Sequence, residues 1–415
     1  MRRLVVPIVS VILLGLVSQA NAVSQWSRKY GVTCTTCHSA FPRLNSFGEE
    51  FMMNGFQMPG TEDGDEDAKM AIGERLALNE LVDIFGIRLN VTVIDFKTDN
   101  RVEADGTLGD TLDIGNPNWL QLFTAGTIFK NVSIFIETEI TDEDIHTSWF
   151  TLGWHNIGGM GSKANIRVGR LSALEWHTVS GRLRQIPAMK HEVISKYKTS
   201  GGKGDDSIAI AAAYPAIEYY GYAGPMVWSV GIQNGAHGKD VNDKKNYFGT
   251  IKWFMAQSGD FEGSAISVAG LGGTDTGVED ITDADGTVVS GQEAENEFWR
   301  VTPGLNVRYK ETTDFQIAYF NGSDDNWDLD IVNPRTVDFD GLTTVLGHWL
   351  NESYWVAAQY DWIDSDDNSK DFEKITGTVY YFPRDNMRIG LIARGDLDNT
   401  GEDVHEAFVN IRTMF

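Results

Sequence analysis

The feature that most constrains the fold is a period-two alternation of apolar and polar residues from about residue 81 to the C-terminus. Ile87, Leu89 and Val91, for example, alternate with Arg88 and Asn90. This pattern puts apolar side chains on one face of a strand and charged or amide side chains on the other. It predicts strands that meet a hydrophobic environment on one side and water on the other.

The number and arrangement of these segments, one of which is residues 206–214, predict an all-β fold: a barrel of about sixteen antiparallel strands. Short turns, such as residues 130–131 and 383–385, alternate with long polar loops at 98–117, 272–296 and 323–339. Short turns at one end and long loops at the other are typical of outer-membrane barrels. The last strand ends on Phe415, like the assembly signal of such barrels in bacteria. We therefore predict a bacterial outer-membrane location, in contact with outer-membrane lipid.

Aromatic residues near the strand ends are predicted to form the two girdles that flank the apolar band of such a barrel. The candidates are Trp119, Trp154, Trp253, Trp299, Tyr309, Trp349 and Trp362.

The first residues have the composition of a secretory signal peptide. Arg2 and Arg3 precede an apolar stretch at residues 5–17, and Ala20-Asn21-Ala22 is a small-residue cleavage site. The apolar stretch is too short to cross a bilayer as a helix. We predict a signal peptide over residues 1–22 and export of the mature chain.

The chemistry-bearing motif is Cys34-Thr35-Thr36-Cys37-His38, which contains the only two cysteines of the chain. In a C-x-x-C-H sequence, both thiols can attach to one haem, and the histidine can bind its iron. A bare redox disulfide of the thioredoxin type would need a preceding strand, and residues 26–31 do not resemble one. We predict one covalent haem c, held by Cys34 and Cys37, with His38 as the proximal ligand.

The motif lies in a predicted small helical cytochrome segment, residues 23–60. Within it, Asn45 or Ser46 can begin a helix that Asn54-Gly55 ends. Phe47, Phe51 and Leu44 would share the face of this helix that packs on the haem. Residues 61–80 are predicted to be an acidic linker, and residues 81–415 the barrel, so the small segment could fill the barrel as a plug.

The distal haem ligand is left open by the sequence. Met58 precedes a proline, as the distal methionine of many small cytochromes does, and is our candidate. Met52, Met53 and Met70 are also near in sequence, although methionine more often serves as packing. A histidine of the barrel wall or an open sixth position is the alternative.

The formal net charge of −25 constrains the partners. Binding to nucleic acid requires a basic footprint, so nucleic acid is not an expected partner. Acidic loops, including the stretch 275–297, could concentrate Fe²⁺ or bind Ca²⁺, or could be plain solvated loops.

Residues 29–44, followed by Phe47-Gly48 and Asn54-Gly55-Phe56, resemble the fused monohaem cytochrome–porins. The best-known members of that family are the outer-membrane iron-oxidising cytochromes of iron-oxidising bacteria. The resemblance covers residues 26–58 in detail and the remainder only in architecture. It implies an electron conduit that oxidises extracellular Fe(II) and passes electrons to a periplasmic c-type cytochrome; as an enzyme, it would be an oxidoreductase. The alternatives are outward electron transfer to an extracellular acceptor, or a diffusion porin with a plug stapled by haem.

Overall fold

The structure is a computed structural model, and a closed barrel accounts for most of the chain that it describes. The described residues are 24–59, 70–73, 76–78, 81–99, 110–115, 118–141, 144–180, 193, 197–204, 206–236, 243–282, 288–397 and 404–415. The predicted signal peptide, residues 1–22, lies outside them. No helix among the described residues is long and apolar enough to cross a membrane.

Short elements come first. They are the helices α1 (Gln25–Tyr30), α2 (Cys34–Cys37) and α3 (Ser46–Met53), a small sheet of β1 (His38–Ala40) and β2 (Arg43–Leu44), a hairpin of β3 (Met70–Gly73) and β4 (Leu76–Leu78), and the helix α4 (Leu81–Ile84). The hairpin lies within the stretch predicted as a linker, and the first barrel strand begins just after α4.

The remaining strands are long and antiparallel. In chain order they are β5 (Phe85–Asp99), β6 (Thr111–Ile114), β7 (Asn118–Phe129), β8 (Val132–Thr141), β9 (Ile145–Trp154), β10 (Asn165–Ser172), β11 (Ala213–Ala223), β12 (Met226–Gln233), β13 (Asn246–Phe254), β14 (Ala265–Thr282), β15 (Val288–Tyr309), β16 (Thr313–Asp324), β17 (Val337–Asn351), β18 (Tyr354–Ser365), β19 (Phe372–Arg384), β20 (Met387–Asp396) and β21 (Val404–Met414).

The barrel closes where the last strand, β21, pairs with the first, β5. The short strand β6 pairs with residues 94–97 of β5, while β7 pairs with residues 85–91 on the same side of β5. Because β6 and β7 share one neighbour position, the described strands give sixteen positions around the barrel. The predicted sixteen-stranded antiparallel barrel is therefore confirmed.

The alternation places side chains as the sequence predicts. Along β15, Trp299 and Val301 are 45% and 40% exposed on the outer face, whereas Arg300 and Thr302 are buried on the inner face. A barrel in a membrane needs this distribution, because its outer face meets lipid and its inner face meets polar groups. Backbone hydrogen bonds are satisfied between neighbouring strands, as the hydrocarbon core requires.

Two ends of the barrel can be distinguished. Tight turns join five hairpins at one end, at residues 130–131, 224–225, 310–312, 352–353 and 385–386. We call this the short-turn end. In bacterial outer-membrane barrels, such turns face the periplasm and the longer loops face outward.

Between β10 and β11, the described residues 173–180, 193, 197–204 and 206–212 lie inside the lumen. Among them, Trp176 stacks on Tyr220 with ring centroids 4.7 Å apart, and Tyr197 stacks on Phe339 at 4.1 Å. The expectation of a strand at 206–214 is wrong for most of that run, and β11 begins at Ala213. Alternating apolar residues there face other residues inside the lumen, and sequence periodicity does not distinguish that environment from lipid.

Two further sequence expectations need correction. The predicted loop at 272–296 contains the ends of the long strands β14 and β15, which pair beyond the body of the barrel. Trp349, predicted as a girdle residue, instead points inward, and its indole nitrogen donates a hydrogen bond to the carbonyl of Ser39 at 2.8 Å. Trp154, Trp253 and Tyr309 are exposed on the outer face, as a girdle requires.

Candidate haem-binding site

The N-terminal segment lies inside the barrel as a plug. Tyr220 of β11 donates a hydrogen bond to the carbonyl of Met53 at 2.8 Å, and Arg388 of β20 donates one to the carbonyl of Phe41 at 2.9 Å. Together with the bond from Trp349 to Ser39, these contacts come from widely separated strands. The plug is therefore held from several sides of the lumen. Its wall contacts fall near the short-turn end, since Trp349 lies two residues before the end of β17 and Arg388 is the second residue of β20.

A buried group of charges anchors the plug. Glu49 of α3 is 1% exposed and forms ion pairs with Lys252 and with Arg308, the latter at 2.9 Å. Arg43, equally buried, pairs with Asp314 at 2.7 Å. Buried charges are stable only when they are paired, so these contacts favour one position of the plug in the lumen.

The C-x-x-C-H motif is held in shape by helix α3, as the predicted cap requires. Asn45 begins α3 by accepting a hydrogen bond from the backbone nitrogen of Gly48 at 2.9 Å. Its side-chain amide also donates to the carbonyls of Thr35 and Thr36, at 3.2 and 3.0 Å. One asparagine thus joins the beginning of α3 to the turn that carries both cysteines.

His38 has the orientation of a metal-binding imidazole. Its Nδ1 atom lies 3.2 Å from the carbonyl oxygen of Pro42. An imidazole that donates from Nδ1 leaves the lone pair of Nε2 free, which is the usual arrangement for a metal ligand. Burial lowers the pKa of His38 to about 4, against weaker opposing hydrogen bonds to Pro42 and Arg43. The ring is therefore neutral at physiological pH, as ligation requires.

Both cysteines are free thiols beside the same pocket. Burial raises the pKa of Cys37 to about 11 and raises the pKa of Cys34 as well. Redox-active C-x-x-C sites lower the pKa of a cysteine to stabilise its thiolate. The environment here therefore argues against a bare redox disulfide.

A largely apolar pocket that is partly open to solvent adjoins the motif. The plug contributes Cys34, Cys37, His38 and a set of apolar side chains: Trp26, Val32, Phe41, Pro42, Leu44, Phe51, Met52 and Phe56. The barrel wall contributes Arg88, Phe123, Phe135, Asn386 and Met414, with Asp385 from a turn. Two thiols, a neutral imidazole and a flat apolar enclosure fit a covalently attached haem.

Phe51 and Leu44 line this pocket, as the sequence predicts, whereas Phe47 does not. Among the candidate methionines, Met52 lines the pocket and is buried, while Met58 is outside the lining. Met53 is also outside the pocket lining and, like Met52, belongs to the buried cluster that contains Trp176 and Tyr220. Met58 as distal ligand remains a prediction, but the geometry favours Met52 over it.

The wall residues of the pocket could not be found from the sequence. Met414 at the end of β21 and Asn386 in the turn before β20 are more than 300 residues from the motif. Only the closure of β21 on β5 brings the C-terminal strand next to the plug. Met414 is thereby a second methionine at the pocket.

A second, smaller pocket is lined by His155 of the barrel, together with Met52 and Tyr220. The Nε2 of His155 is 2.7 Å from the Ser133 hydroxyl, and its Nδ1 is 3.0 Å from the Tyr220 hydroxyl. Burial lowers the pKa of His155 to about 4, with Arg167 adding to the effect. Both ring nitrogens are engaged, so His155 is a packing residue here.

Within the described residues, no group of three acidic, histidine or cysteine side chains could hold a free metal ion.

Comparison with solved structures identifies the same barrel architecture elsewhere. The anion-selective porin from Comamonas acidovorans has a TM-score of 0.55 at 11% identity, over 80% of this chain and 99% of that one. The outer-membrane channel DcaP of Acinetobacter baumannii gives 0.52 at 12% identity, over 79% and 97%. A loop-deletion mutant of OmpT, an outer-membrane protein of Vibrio cholerae, gives 0.51 at 13%, over 80% and 98%.

These likenesses concern the fold. No family model matches the chain, and no curated protein matches it. The sixteen-stranded barrel, its apolar outer face and its shared architecture with porins confirm the predicted outer-membrane barrel and its contact with membrane lipid.

Proposed function

We propose that the protein is an outer-membrane electron conduit that carries one haem c, attached through Cys34 and Cys37, with His38 as the proximal ligand. The observation that carries the proposal is the pocket at which both thiols and the neutral imidazole meet beside an apolar enclosure. When bound, such a haem supplies one-electron transfer at its iron. The resemblance to the fused cytochrome–porins supports the same assignment.

The residues around the pocket have defined tasks in this proposal. His38 is oriented by Pro42, and Asn45 fixes the turn that carries the two cysteines. Trp26 and Phe56 stack with ring centroids 5.0 Å apart, and Phe56 lies 5.6 Å from Phe135 of the wall. These rings exclude water from the haem side of the plug, and a low-polarity surrounding tunes the potential of a haem.

The position of the pocket supports a periplasmic partner. Asp385 and Asn386 form the turn between β19 and β20, and both line the pocket, so it lies at the short-turn end. If that end faces the periplasm, as in other bacterial barrels, a soluble c-type cytochrome could approach the haem from there. Extracellular Fe(II) as the electron donor is proposed from the family resemblance.

The first experiment asks whether the haem is attached. The full-length protein is expressed in a host that matures c-type cytochromes, and haem is detected on the denatured polypeptide. Covalent haem is expected in the wild type and is expected to be lost when both cysteines are replaced by serine. Absence of haem from a wild-type barrel in the outer membrane contradicts the proposal.

The second experiment tests the donor. Fe(II) is added to the oxidised, purified protein, and the visible spectrum is followed. Appearance of the reduced haem spectrum supports iron oxidation, and its absence at the working pH argues against it while leaving haem attachment intact. Reduction by a periplasmic donor, followed by reoxidation with an extracellular acceptor, would favour outward transfer instead.

A second candidate function is a diffusion porin with a plugged lumen. It is favoured by the fold comparison, since the Comamonas protein is an anion-selective porin and DcaP is a channel. Taken alone, the comparison favours this candidate, whereas the thiol–imidazole pocket favours the first. Solute flux into liposomes that contain the full-length protein separates the two. Fast flux together with a haem that no donor reduces would support the porin.

A further inference from the structure

The barrel wall beside the candidate haem pocket carries three arginines on adjacent strands. Arg388 of β20 is the direct cross-strand neighbour of Arg412 of β21. Arg412 in turn faces Asn90 of β5, to which its Nε donates a hydrogen bond, and Arg88 is two residues from Asn90 on the same inner face. The three guanidinium groups therefore share one region of the lumen wall.

Only one of the three has a carboxylate partner among the described residues. Arg88 pairs with Glu137 at 3.0 Å. Arg388 is 1% exposed, stacks on the ring of Tyr380, and uses one nitrogen on the carbonyl of Phe41. Its Nε and Nη2 atoms are buried and have no hydrogen-bond partner in the part of the chain that the structure describes.

Such an arrangement is costly unless an anion is bound. A buried guanidinium without a counter-charge is strongly destabilising, and like charges on neighbouring strands repel. Arg388 and Arg412 form no ion pair with a described carboxylate, so the three guanidinium groups share the single negative charge of Glu137. An anionic ligand with about two negative charges would balance the positive charge of this region.

The arginine group meets the haem pocket at Arg88, which lines it. Met414, two residues from Arg412 on the same face of β21, lines the pocket as well, as does Asn386, which lies in the turn two residues before Arg388. Phe41, whose carbonyl receives the bond from Arg388, completes the connection.

We propose that Arg388 and Arg412, with Arg88 beside them, form a carboxylate-binding site that receives the two propionates of the haem. Guanidinium groups bind carboxylates through paired, charge-assisted hydrogen bonds, and two propionates match the two unmatched arginines. This inference rests on the proposed function, since it requires the haem in the pocket. It assigns to the barrel wall the orientation of the haem edge.

The test measures the reduction potential of the haem in Arg388→Gln, Arg412→Gln and Arg388→Lys variants. Loss of a positive charge beside the propionates favours the oxidised haem. We expect each Gln variant to shift the ratio of oxidised to reduced haem at a fixed potential about tenfold, which is about 59 mV for one electron. The Lys variant should restore part of the shift, because it keeps the charge without the paired donors.

Arg394→Gln is the matched control. Arg394 lies on the same strand and the same face as Arg388, six residues further along, and is paired with Glu406. The Arg394→Gln variant should leave the reduction potential of the haem unchanged. The propionate bands of the resonance Raman spectrum should change in Arg388→Gln and Arg412→Gln but not in the control.

The outcomes separate the two proposals. A wild-type protein without haem overturns the proposed function and this inference with it. Haem-loaded Gln variants with the wild-type potential and Raman bands overturn only the propionate site. A wild-type potential that shifts with added inorganic phosphate at constant ionic strength would assign the arginines to a free anion and also overturn it.

Discussion

Gly48 of α3 lies directly against the backbone of Cys37: a β-carbon at residue 48 would overlap the Cys37 carbonyl oxygen. The same carbonyl accepts a hydrogen bond from the backbone nitrogen of Asn45 at 3.0 Å. The helix and the cysteine turn therefore form one unit whose separation is set by the absence of a side chain. This contact gives a physical reason for the glycine of Phe47-Gly48, a pair that is part of the resemblance to the fused cytochrome–porins.

Replacing Gly48 with alanine should reduce haem attachment. The new methyl group forces α3 away from the turn and displaces His38 relative to the two thiols. We expect a severalfold loss of covalent haem per barrel, measured by haem absorbance against protein. Gly377→Ala is the control, since a β-carbon at Gly377 meets no atom within 4 Å. Equal haem content in the two variants would contradict the role of Gly48.

Glu49→Gln should loosen the plug. The change removes the carboxylate that pairs with Lys252 and Arg308 and leaves buried positive charge unmatched. Breaking such a pair costs about 3–5 kcal/mol. We expect cleavage of the N-terminal segment by protease to become faster while the barrel itself resists. The control is Glu50→Gln, which alters the exposed neighbour and should be cleaved at the wild-type rate. Equal cleavage rates for the Glu49→Gln and Glu50→Gln variants would count against Glu49 as an anchor of the plug.

Met52→Leu tests the distal ligand. Met52 lines the pocket with His38, whereas Met58 lies outside its lining. A methionine ligand raises the potential of a haem, so its loss should lower the potential and change the visible spectrum. We expect this change in Met52→Leu and not in Met58→Leu. The reverse result would restore Met58, and an effect of Met414→Leu alone would assign the ligand to the barrel wall.

Acidification should weaken the contact of the plug with the wall at His155. The pKa of this ring is lowered to about 4 from an ordinary value of 6.5, mainly by burial, so the folded protein holds it neutral. Its contribution to stability is complete above pH 6.5 and is lost as the pH falls towards 4. Since one pKa unit corresponds to about 1.4 kcal/mol, the loss is on the order of 3 kcal/mol. Thermal melting between pH 7 and 4 measures it.

The matched variant for this effect is His155→Asn. It fills a similar space and does not titrate, so its melting temperature should depend less on pH in this range. A pH dependence identical to that of the wild type would assign the effect to other groups.

The sequence by itself determined the barrel and located the C-x-x-C-H motif from which the haem is proposed. Strands with strict alternation of polar and apolar residues can cross a membrane only as a closed barrel, because every backbone group must be paired. The alternation also fixes which residues face inward and which face outward. The local cap at Asn45 and the spacing of Cys34, Cys37 and His38 were equally readable, since they act over a few residues.

Only the tertiary structure decided what surrounds that motif. Met414, Arg88 and Phe135 reach the pocket because the barrel closes on itself, and no local pattern records which inward residues face a plug. Alternation is the same for an apolar segment that faces the lumen and for one that faces lipid. The strand that the sequence predicts at residues 206–214 is therefore absent from most of those residues. Local periodicity fixes the orientation of a side chain on its strand, while long-range closure fixes its neighbours.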